Sequence, residues 1–127
     1  MAKKILSVLS RTEYGNLEDS DIGLFASAFA PVAGSHMTLL LAEDAVNYAV
    51  RGQEGTGIEI AGGKVQPGFL IETDVKAVKD SGIPVYALRE DLAERGIAEQ
   101  ELVQGVALLS RKEYGKFIDQ FDTVWNW

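Results

Sequence analysis

Short apolar runs recur along this chain at intervals too long for simple hairpins: KILSVL (Lys4 to Leu9), MTLLLA (Met37 to Ala42), IPVYAL (Ile83 to Leu88), VALL (Val106 to Leu109) and TVW (Thr123 to Trp125). They are apolar at nearly every position, not every second one, as strands buried on both faces must be. Such strands belong to a parallel sheet whose connections cross over its faces.

Helical periods fill the intervals. Ile22, Phe25, Ala26 and Phe29 repeat at i, i+3, i+4, i+7 before Pro31, and Tyr114, Phe117, Ile118 and Phe121 repeat that spacing. Ile71, Val75 and Val78 do the same before Gly82 and Pro84. With further helices from Glu43 and from Glu90, the order is β-α-β-α-α-β-α-β-α-β. It predicts an α/β fold of three layers, α/β/α, around a mostly parallel sheet of about five strands. At 127 residues, 46% of them hydrophobic, the chain is expected to form one domain over 1–127. The strand order stays open.

One segment breaks the alternation. In GTGIEIAGGKVQPG, Gly55 to Gly68, two short runs flank Gly62-Gly63, a usable two-residue hairpin turn. The stretch from about 52 to 68 reads as a protruding arm or as a glycine-rich loop, and loops of this length often carry binding function.

Charge and composition exclude several functions. Twelve basic against 19 acidic residues give a net charge of −7, which disfavours nucleic acid as a direct ligand. The chain has no cysteine, so disulfides, thiolate metal sites and a thiol nucleophile of its own are excluded. The opening MAKKILSVLS is too short and wrongly flanked for a signal peptide or membrane span, so a cytoplasmic protein with no membrane partner is expected.

In a parallel α/β sheet, ligands bind beyond the carboxyl ends of the strands. The residues expected there are Ser10, Arg11, Glu13 and Tyr14 after the first strand, Glu43 and Asp44 after the second, Arg89, Glu90 and Asp91 after the third, and Ser110 and Arg111 after the fourth. Phosphate fingerprints are missing from this edge, and acidic helix starts repel phosphate. Glu43-Asp44 lacks the further ligands a divalent ion needs, so neither metal nor cofactor is assigned. In VYALREDLAERG (Val85 to Gly96), most charges read as helix construction: acidic first turn, Arg95 at the end, Gly96 as left-handed cap, Asp91 and Arg95 an i, i+4 pair. LSRTEYG (Leu9 to Gly15) and LSRKEYG (Leu109 to Gly115) each carry the Ser-x-x-Glu of a capping box. The only histidine, His36, falls at the amino end of the second strand, where a structural or solvated role is expected. In FDTVWNW, Trp125 and Trp127 offer large apolar surface on a final strand and are expected in a subunit interface.

The runs HMTLLLAEDAV (His36 to Val46) and IPVYALREDLAERGI (Ile83 to Ile97), with the short closing strand, resemble the DsrE/DsrF/DsrH sulfur-relay family, whose tRNA-modification relatives are TusB, TusC and TusD. The VYAL-x-EDL-x-x-RG pattern is most similar to the DsrH/TusB branch. The resemblance implies a DsrEFH-like α/β fold, assembly into hexamers or other oligomers, and a persulfide passed between cysteines. It places the carrier cysteine eight positions before the glycine of the RG pair, and here Leu88 stands there. The resemblance therefore implies a non-carrier subunit that shapes a relay complex or docks homologous cysteine-bearing subunits, with Arg11, Arg89 and Arg111 near the arriving persulfide anion and no catalysis alone. The alternative is a homo-oligomeric protein binding a small ligand at the carboxyl ends of the strands.

Overall fold

The computed structural model describes residues 3–12, 34–55, 58–66 and 69–127. The helix read from Ile22 to Phe29, with Glu13 and Tyr14, lies outside them. In chain order the strands are β1 (Lys4–Leu9), β2 (His36–Leu41), β3 (Glu54–Gly55), β4 (Ile58–Ile60), β5 (Gly63–Gln66), β6 (Phe69–Leu70), β7 (Val85–Leu88), β8 (Ala107–Leu109) and β9 (Thr123–Asn126). The α-helices are α1 (Ile71–Asp80), α2 (Arg89–Glu94) and α3 (Tyr114–Ile118), and 3-10 turns cover Glu43–Ala49, Glu99–Glu101 and Arg111–Glu113.

Five strands form one sheet in the order β8-β7-β2-β1-β9, and every neighbouring pair is parallel. From β1 the sheet grows in one direction through β2, β7 and β8, and β9 then returns to the other side of β1. Alternation along each strand feeds two cores. Ile5, Leu9, Met37, Leu39, Leu41, Val85 and Ala87 face a cluster roofed by Ala45, Val46 and Ala49 of the 3-10 turn and by Ile71, Val75 and Val78 of α1. Leu6, Val8, Leu40, Leu88 and Leu109 face the opposite cluster, closed by Phe117 of α3. Layers on both faces explain why the strands read as unbroken apolar runs, with each fully buried leucine contributing about 1.5–3 kcal/mol.

Two local expectations are corrected. The segment from Glu43 is a 3-10 turn, not an α-helix: it starts from a left-handed Glu43 (φ 51°) and is stopped at Val50, which bridges to Leu102. The hairpin turn is Ala61-Gly62, one residue earlier than Gly62-Gly63, because Ile60 pairs with Gly63. Ala61 and Gly62 both have positive φ (51° and 79°), the geometry of the turn that matches strand twist. The arm thus carries two antiparallel ladders, β3 with β6 and β4 with β5.

Candidate functional site

Because the sheet is parallel, β1, β2, β7 and β8 all release the chain at one edge. The side chain that organises this edge is Asp91, in the first turn of α2 and only 5% exposed. Its carboxylate accepts the Glu43 backbone N–H at 2.6 Å and pairs with the Arg111 guanidinium. One buried carboxylate thereby ties together the segments that follow β2, β7 and β8. Its neighbour Glu90 accepts the backbone N–H of Arg111 at 2.8 Å, and Glu94 lies 3.3 Å from the same guanidinium.

Arg95 does not form the expected i, i+4 pair with the Asp91 carboxylate, which is turned inward toward Glu43 and Arg111. It reaches Asp44 at 2.8 Å and the Asp91 backbone carbonyl at 3.2 Å. Gly96 supplies the left-handed cap as expected (φ 67°).

Titration follows these contacts. The Arg111 N–H, with Glu90's own amide, holds the Glu90 carboxyl below its ordinary value. Hydrogen bonding to Asp91 and then Glu94 raises Arg111, and Asp44 raises Arg95, so both guanidiniums are firmly cationic. Burial, followed by the Glu43 charge, pushes the Tyr114 hydroxyl up.

The remaining expected edge residues divide. Ser110 caps the turn Arg111–Glu113 by accepting the Lys112 N–H at 3.2 Å, a simple cap in place of the expected capping box, because the Glu113 N–H goes to the Ser110 backbone carbonyl. Ser10 has a different role: its hydroxyl donates to the Trp127 carbonyl at 2.9 Å and ties β1 to β9. Arg89 is exposed and 3.7 Å from Glu99, and Arg11 is exposed with no partner among the described residues. Leu88 is 4% exposed and packs in the cluster closed by Phe117, so its side chain points into the core.

Carboxylates outnumber guanidiniums at this edge, and both Arg95 and Arg111 are committed to them. Such a surface repels an arriving anion. Among the described residues no group of three or more histidine, aspartate or glutamate side chains is arranged to hold a metal. Nor is any helix among them long and apolar enough to cross a membrane.

Trp125, on the edge strand β9, and Trp127, just beyond it, are 37% and 40% exposed. Register sets Trp125 beside Ser7, and the Trp127 indole N–H donates to the buried Ser7 hydroxyl at 3.0 Å. The opposite end of the sheet holds a feature that sequence reasoning missed, a cavity of about 240 Å³ with His36 in its wall. Its lining comes from four separate segments, so no linear motif announces it.

No family model and no curated protein matches this sequence. Solved structures do. The YchN protein of E. coli superimposes over 100% of both chains with a TM-score of 0.73 at 21% identity. Two proteins of unknown function are similar as well. That from Bacteroides thetaiotaomicron has a TM-score of 0.63 at 12% identity, over 97% of this chain and 94% of its own. That from Methanobacterium thermoautotrophicum has 0.58 at 13%, over 97% of each. The chain has the DsrE-like α/β fold. At such identities the likeness concerns fold alone.

Proposed function

We propose that this chain is a non-carrier subunit of a cytoplasmic sulfur-relay assembly, shaping the complex and docking cysteine-bearing relatives. The observation that carries this reading is Leu88. It occupies the position that holds the carrier cysteine in the family's sulfur-carrying members, and it is buried among Leu6, Leu40, Leu109 and Phe117. The surrounding edge supports the same reading, since Asp44, Asp91, Arg95 and Arg111 are spent on joining chain segments. Trp125 on the edge strand and Trp127 just beyond it give the subunit an apolar surface suited to association.

The reading is tested by purifying the protein from its native cells under gentle, non-reducing conditions, weighing the intact assembly and identifying each chain. A cysteine-bearing relative in fixed ratio is the expected result. Copies of this chain alone would overturn the subunit reading and favour the homo-oligomeric ligand-binding alternative.

A further inference from the structure

We propose that the cavity at the amino ends of β1 and β2 is a binding site for a small aromatic carboxylate. The cavity lies between the sheet and α3, at the end of the sheet opposite Asp91, and its volume is about 240 Å³. The pocket is open to solvent on the side of the exposed Lys4 and His36, and its size suits a single-ring compound better than a drug-sized one.

The chemistry of the wall divides along the strands. At the mouth, Lys4 and His36 are register partners on neighbouring strands, so their side chains leave the same face of the sheet side by side. Among the described residues no carboxylate forms an ion pair with the Lys4 ammonium. The nearby Asp122 carboxylate accepts the Lys4 backbone N–H at 2.8 Å and does not line the cavity.

Deeper in, the wall is aromatic. Tyr86 meets Phe117 edge-on with ring centres 4.9 Å apart, and Phe117 meets Phe121 in the same way at 5.2 Å. A flat ring completes such an edge-to-face cluster, and a carboxylate on that ring reaches the ammonium at the mouth through a charge-assisted hydrogen bond. Thr38 and Gln120 add hydrogen-bonding groups to the lining. This site needs no cysteine and stands independently of the relay reading.

The test is a titration of the full-length protein with benzoate, followed by amide chemical shifts and by calorimetry, with benzamide as the neutral counterpart. Saturable shifts at Thr38, Tyr86 and Gln120, with a Kd of ~1 mM or tighter, are expected. Lys4→Met, an exposed change that leaves the core untouched, weakens benzoate about tenfold and leaves benzamide unchanged. Thr38→Phe fills the space from the sheet side and abolishes binding of both. The proposal is overturned if no saturable shift occurs up to ~10 mM, if the shifts map away from these residues, or if Lys4→Met binds benzoate as the parent does.

Discussion

At the carboxyl ends of the strands, Asp91 gathers the Glu43 amide and the Arg111 guanidinium, and Asp44, Glu90 and Glu94 are each bound to Arg95 or Arg111. At the amino ends of β1 and β2, Lys4 and His36 stand side by side above a cavity walled by Tyr86, Phe117 and Phe121. A parallel sheet usually presents its ligands at the first of these ends. Here that end is cross-linked by its own charges, whereas at the second end the Lys4 ammonium, in no ion pair among the described residues, stands beside open space. The contrast teaches that position in a fold nominates a site, whereas the partners each side chain already has decide what it is free to do.

The contrast is broken most severely at Asp91. Asp91→Ala strands the Glu43 amide and removes the partner of Arg111, and a loss of about 2–4 kcal/mol is expected in urea unfolding. Asp91→Asn, which keeps an acceptor for the amide, loses less. A change below about 0.5 kcal/mol for Asp91→Ala would mean that the network holds nothing together.

Trp127→Phe comes next. It deletes the indole donor and leaves the buried Ser7 hydroxyl unpaired, at a cost of about 1 kcal/mol. Adding Ser7→Ala in the same chain recovers part of that loss, because both partners are then gone. Failure to recover would place the tryptophan's contribution in packing alone.

Acid unfolding probes Glu90. Its carboxyl is held below the ordinary value of 4.5, so its contribution is fully present above that pH and is lost as the pH falls through the lower folded-state value. Glu90→Gln removes this part of the pH dependence, and its stability therefore declines less steeply below about pH 5 than the parent's. Identical acid limbs would show that the Arg111 amide gains nothing from the charge.

The smallest effect is expected at the other end of the sheet. Lys4→Met changes stability by no more than about 0.5 kcal/mol, since its ammonium is part of no ion pair among the described residues. A larger loss would make the amino end structural too, and would erase the distinction between the two ends.

Much of the sheet was legible in advance because burial on both faces writes itself into contiguous residues. The run Lys4 to Leu9 coincides with β1, and Met37 to Ala42 is displaced from β2 by a single residue. Ile83 and Pro84 precede β7 without joining it, though Pro84 still accepts the Leu39 N–H at 2.9 Å. Backbone conformation was harder to foresee. Neither Glu43 nor Ala61 belongs to a residue type that favours positive φ, so the left-handed start after β2 and the true hairpin turn carried no local signal.

The candidate site was legible only as a list of edge residues. Asp91 and Arg95 have the spacing of a helical pair, but pairing within a helix yields when a buried carboxylate finds a backbone amide and a guanidinium in the turns that follow other strands. Those partners depend on β7 lying between β2 and β8, and the strand order was not readable. The cavity was hidden for the same reason, since Lys4, His36, Tyr86 and Phe117 meet only once the sheet and α3 are assembled.

The reactivity of a cysteine placed at Leu88 tests the central claim most directly, that the carrier position is closed core and not an open reaction edge. In Leu88→Cys, the only thiol in the chain, alkylation by iodoacetamide is expected to be at least about a hundredfold slower in the folded protein than in urea, as local opening of a buried strand end requires. A thiol that reacts as fast folded as unfolded would contradict the claim and return the carboxyl end of β7 to use as a sulfur-carrying site.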